Sequence, residues 1–81
     1  MLKNPKTGRK LGPWQASVCH EVLANEKGAK DPILRLRGKA AQYSGAYWRR
    51  LKEMESMGLV TKRGSLWFPG PALLAQVVRH A

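Results

Sequence analysis

Apolar residues recur along this chain in helical stripes separated by short alternating runs. Trp14, Val18 and Val22 stand at i, i+4 and i+8 with Cys19 and Leu23 beside them, which predicts a helix from Pro13 to about Asn25, stopped by Gly28. Pro13 suits its first position, where no backbone N–H is needed. Beyond it, Leu34-Arg35-Leu36-Arg37 alternates with the two-residue period of a strand, although Asp31-Pro32 would equally cap a helix starting at Ile33; the strand is preferred. Gly38 separates it from a short helix over Lys39–Tyr43. A second long helix is expected over Ala46–Met57, with Tyr47, Leu51 and Met54 inward, and Gly58 ends it in a left-handed cap. Leu59–Lys62 and Ser65–Phe68 read as two strands joined at Arg63-Gly64, with Leu59, Val60, Leu66 and Phe68 covering the core and Trp67 on the opposite face. Pro69-Gly70-Pro71 breaks the second strand. A closing helix, Ala72 to about His80, then places Leu73, Leu74, Val77 and Val78 on one side. It either packs on the first helix, which is favoured, or pairs with its copy in a homodimer.

The order of these parts has a physical logic between Lys39 and Phe68. Two helices crossing at about 90–120° need small residues at their closest approach, and Ala40 and Ala41 supply them. The turn between such helices needs a residue that accepts positive φ, for which Gly45 is the candidate. The run Leu51-Lys52-Glu53-Met54-Glu55-Ser56-Met57-Gly58-Leu59-Val60 resembles the Leu-x-x-Leu-x-x-x-Gly-Leu-Val junction of the winged helix-turn-helix family of DNA-binding domains, which includes many small bacterial and phage regulators. The resemblance covers roughly half of the chain. It implies a mainly α fold with a small β-wing: a three-helix core, a hairpin wing and a C-terminal helix over residues 13–81. The chain departs from the family at Trp48, where a small or polar residue is common.

Charge adds a partner to this outline. Fifteen Lys and Arg against five Asp and Glu leave a formal charge of +10 on 81 residues, with a pI near 10.5. Such a field favours a polyanion, and nucleic acid is the commonest one. A membrane surface is disfavoured, because there is no apolar run of about 18 residues and no helix sets a basic face against a wide apolar one. Residues 1–12 scatter Lys3, Lys6, Arg9 and Lys10 among Asn, Pro, Thr and Gly without a hydrophobic period, and are expected to form a mobile basic arm. That arm is either a solvated tail or a contact for phosphate or a minor groove.

If the resemblance holds, Ser44 and Ala46 stand at the start of the recognition helix, with Trp48, Arg49 and Lys52 on its exposed side. Arg49 suits a guanine edge, since its planar fork matches O6 and N7, whereas Lys52 suits a phosphate and Arg50 the flanking backbone. Lys62 and Arg63 at the wing tip, with Lys39, Arg9 and Lys10, are further candidates for phosphate or groove contacts. Trp48 is open between core and contact, because an indole buries so much area. Double-stranded DNA is therefore the expected partner, with RNA and an acidic protein as alternatives.

Enzymatic chemistry is not expected. Five scattered acids offer no catalytic order, and no Gly-rich phosphate loop occurs. Cys19-His20 lacks the third and fourth ligands that zinc requires, so no cofactor is expected. A single cysteine forms no internal disulfide, and Met1-Leu2-Lys3-Asn4-Pro5 leads into polar residues rather than an apolar signal core, which points to the cytoplasm or nucleus.

Overall fold

A computed structural model describes residues 2–30 and 44–79, except the side chains of residues 44–47, 78 and 79. The described residues form three helices and a three-stranded antiparallel sheet. Helix α1 spans Pro13–Ala24, strand β1 Ala29–Lys30, helix α2 Ser44–Ser56, strands β2 and β3 Val60–Arg63 and Leu66–Pro69, and helix α3 Pro71–Arg79. The strand at Leu34–Arg37, the short helix at Lys39–Tyr43 and the Ala40–Ala41 crossing lie outside the described residues.

Helix α1 buries the stripe its spacing predicts: Trp14, Val18, Cys19 and Val22 all enter the core. It ends at Ala24, earlier than the glycine expected to stop it. Asn25 caps the end by donating from Nδ2 to the Glu21 carbonyl at 2.7 Å, and Gly28, at φ +103°, closes the turn that follows. That turn delivers β1, which supplies the third strand of the sheet and pairs with β3 as Ala29 opposite Trp67 and Lys30 opposite Leu66.

Helix α2 corrects one expectation. Gly45 lies inside the helix rather than in a turn before it. Among the described residues the helix begins at Ser44, two residues before the expected start, a gain of about half a turn. Its far end follows the sequence closely. Gly58 takes φ +79°, its N–H donates to the Glu55 carbonyl at 3.0 Å, and the Leu59 N–H donates to the Met54 carbonyl at 3.0 Å. These are the paired bonds of a Schellman cap, with Leu59 and Met54 both buried as its apolar contact.

The hairpin turns one position later than predicted. Arg63 pairs with Leu66, so Gly64-Ser65 is the two-residue loop; Gly64 has φ +63° and Ser65 does not, as in a type II′ turn. The faces of β3 are also reversed, whereas Leu59 and Val60 are buried as expected. Trp67 is 2% exposed and lies in the core with Val60 and Ala29, whereas Leu66 and Phe68 are half-buried on the outer face, packed over Gly28. One large indole pointing inward displaces the two residues expected there.

Residues 2–12 depart most from expectation. Instead of a free arm they form a closed loop. Lys3 and Lys10 pair as an antiparallel bridge, the Leu11 N–H donates to the Leu2 carbonyl at 3.2 Å, and Asn4 Oδ1 accepts from Lys6 N–H at 2.8 Å in a turn completed by Gly8 at φ +72°. Leu11 is buried and Leu2 packs on the core. Gln76 of α3 then clamps the loop with both ends of its amide, accepting from Lys3 N–H and donating to the Lys3 carbonyl, each at 2.8 Å.

Helix α3 enters the core through Leu73. Leu74 and Val77, expected on the same packed side, are 46% and 37% exposed. The backbone meets itself where α2, the hairpin and α3 join. Gly70 N–H donates to the Leu59 carbonyl at 2.9 Å and Ala72 N–H to the Gly58 carbonyl at 2.9 Å. A Cβ on Gly70 would stand only 2.2 Å from the Gly58 carbonyl oxygen, so this crossing requires a glycine.

Candidate nucleic-acid interface

Helix α2 carries its charges on the side away from the core. Leu51 and Met54 point inward, and at about 100° per residue Arg49 then points almost directly outward, with Lys52 and Glu53 on either side of it. All three are exposed. Trp48 and Arg50 occupy the two flanks between core and crest, and they lean in opposite directions.

On one flank the Arg50 guanidinium carbon lies 5.9 Å from the centre of the Trp14 ring on α1. Arg50 therefore rests on the scaffold. On the other flank Trp48, 40% exposed, faces the hairpin, and the Lys62 ammonium lies 5.0 Å from its ring centre. The same ammonium is 5.6 Å from the ring of Trp67, so one cation touches two indoles. Glu55, two turns beyond Trp48 on the same stripe, accepts the Lys62 N–H through Oε2 at 3.4 Å. Helix and hairpin thus meet at Lys62.

The sheet separates the two basic residues expected to act together at the tip. Residues directly opposite in neighbouring strands point to the same face, so the register gives an inner row Ala29–Trp67–Lys62 and an outer row Lys30–Leu66–Arg63. Lys62 turns toward α2 and Arg63 turns away, its guanidinium carbon 5.4 Å over the Phe68 ring. Lys30 shares the outer row with Arg63. Sequence reasoning missed Lys30 because it placed the third strand further along the chain. It also missed Glu55 as the link from helix to hairpin, although the spacing of seven from Trp48 puts the two on one stripe.

The remaining predicted residues are more dispersed. Arg9 and Lys10 are exposed on the N-terminal loop, whose fastening runs to α3 through Gln76. Ser44 begins α2 with its side chain outside the described residues, as is all of Lys39. Cys19 is fully buried, and that burial raises its thiol to about 12, so it stays protonated at neutral pH as a packing residue. His20 beside it is exposed. Among the described residues no helix is long and apolar enough to cross a membrane.

No family model, curated protein or solved structure matches the chain. The reading of this surface therefore rests on its own chemistry. It offers guanidinium and ammonium groups along one helix crest, an exposed indole on the adjacent flank and a cation on each face of a short hairpin.

Proposed function

We propose that the chain is a winged helix-turn-helix domain that binds double-stranded DNA, acting as a small transcription or replication regulator. Helix α2 is the recognition helix and enters the major groove. Arg49 at its crest reads a guanine edge, and Lys52 meets phosphate. The hairpin is the wing, with Lys62 on the groove side and Arg63 and Lys30 on the other, holding the flanking backbone. The observation that carries this reading is the junction at Lys62, where contacts to Trp48 and Glu55 fasten the hairpin to a flank of the helix beside its basic crest. A net charge of +10 supplies the long-range attraction and makes affinity fall steeply with salt as counterions are released.

Anisotropy titrations of labelled duplexes at two salt concentrations test the assignment. Arg49→Ala is expected to cost roughly 1–3 kcal/mol on a preferred sequence and little on others, flattening the preference. Arg63→Ala is expected to weaken every duplex alike and to reduce the slope of log affinity against log salt by about 0.9. Duplex binding that neither substitution alters would sink the proposal.

A further inference from the structure

Trp48 is poorly suited to reading an intact duplex. An indole carries a single N–H donor and no acceptor, so it matches none of the bidentate patterns that base-pair edges present. Its recognition asset is a flat apolar face, which needs another flat face to cover it. Inside a duplex each base face is already covered by its neighbour, and only an unpaired, terminal or extruded base offers one.

The setting of the residue supports that use. Trp48 is 40% exposed, whereas the other two tryptophans are 8% and 2% exposed, so the chain buries two indoles and leaves this one at the surface. The Lys62 ammonium lies over its ring at 5.0 Å from the centre, so that a base would take the opposite face, and Lys52 follows one turn later on the same stripe. Glu55 is held to the Lys62 backbone N–H beyond them. An exposed aromatic ring with cations held against it is the combination by which single-stranded nucleic acid is bound: bases stack on the ring and the charges hold the adjoining phosphates. Trp67 under Lys62 gives the cation a buried floor, which limits the positions its ammonium can take.

We infer that Trp48 is a stacking platform for one unpaired nucleobase, with Lys62 and Lys52 holding the phosphates beside it, so that the domain favours duplex bordered by single strand over uninterrupted duplex. This rests on the duplex-binding reading and adds the junction to it. DNA and RNA share the chemistry of an unstacked base beside a phosphate, so both strands belong in the test.

The experiment titrates the full chain with a blunt DNA duplex, the same duplex carrying a short single-stranded thymidine tail, and that duplex with a uridine RNA tail. Affinity and tryptophan fluorescence are read together. With Trp14 and Trp67 buried, quenching reports Trp48. The tailed duplex is expected to bind more tightly than the blunt one and to quench the fluorescence. Trp48→Ala should abolish that preference, a loss of roughly 5- to 150-fold on the tailed duplex relative to the blunt one. Trp48→Phe, which keeps an aromatic face, should retain most of the preference and guards against a folding defect in the alanine variant. Equal binding of tailed and blunt duplex, or a tail preference that survives Trp48→Ala, overturns the inference while leaving duplex binding intact. Binding to none of the three probes overturns both. A stronger response to either tail identifies which kind of strand the platform takes.

Discussion

Helix α2 carries a tryptophan–cation pair on each flank, and the two differ in what surrounds them. Trp14 belongs to the neighbouring helix, is 8% exposed, and lies under Arg50. Trp48 belongs to α2 itself, is 40% exposed, and lies under Lys62 of the hairpin. The chemistry of the contact is the same, yet burial gives each pair a different work to do. A buried indole contributes most of its area to holding two helices together, and the cation above it closes the edge of the core. A half-exposed indole contributes less to stability and retains surface that another molecule can cover.

The most severe way to break this comparison is to remove each ring in turn. Trp14→Ala should cost about 3–5 kcal/mol in urea unfolding, a large share of the roughly 4–12 kcal/mol expected for a domain of this size. Trp48→Ala should cost about 1 kcal/mol or less. Equal losses would mean that Trp48 is a core residue after all.

The second perturbation moves the hairpin instead of the ring. Gly70→Ala drives a methyl group into the Gly58 carbonyl, so the hairpin base has to shift. About 1–3 kcal/mol of destabilisation is expected, seen as a lower Tm. The contact of Lys62 with Trp48 should loosen with it, seen as a change in tryptophan emission, while the Trp14 flank remains in place. Emission that stays unchanged would show that the contact of Lys62 with Trp48 does not depend on the base of the hairpin. The smallest effect is expected from Lys62→Met, which keeps the aliphatic stem and deletes the charge. A loss of about 0.5–1 kcal/mol in thermal or urea unfolding corresponds to a cation–π contact near the surface. A gain in stability would instead show that placing the ammonium beside two rings costs more than it returns.

The sequence made the scaffold flank more legible than the hairpin flank. Trp14, Val18 and Val22 repeat at a spacing that only a helix satisfies, and Gly58 stands where a helix must turn left-handed; all were placed correctly. Leu66-Trp67-Phe68 is apolar at three consecutive positions, so it carries no two-residue period, and the face that Trp67 takes is decided by packing against α1 and β2 rather than by pattern. The N-terminal loop was illegible for a related reason. Its bridge is made by backbone groups of Lys3 and Lys10, and its anchor, Gln76, is 73 residues distant from Lys3. Gly45 shows the opposite error: a residue permissive enough for a turn is also permitted in a helix, at a cost of about 1 kcal/mol. Among the site residues, the outward position of Arg49 followed from helix periodicity alone. The split between Lys62 and Arg63 needed the register of three strands.

That register, together with the glycine crossing, gives the hairpin a fixed root and an open end. At the root, Gly70 lies so close to the Gly58 carbonyl that it tolerates no side chain, and Gly58 holds a left-handed φ of +79°. At the end, Gly64 has nothing within 4 Å of where a side chain would begin. Length can therefore be added at one place only. Inserting two residues into each strand next to the turn would extend the hairpin by about 7 Å and preserve the alternation of faces, leaving Lys62 over its two rings. Inserting one would extend it by half as much and swap the faces beyond the insertion. The reach of the hairpin is thus adjustable in steps of two residues, independently of the surface at its base.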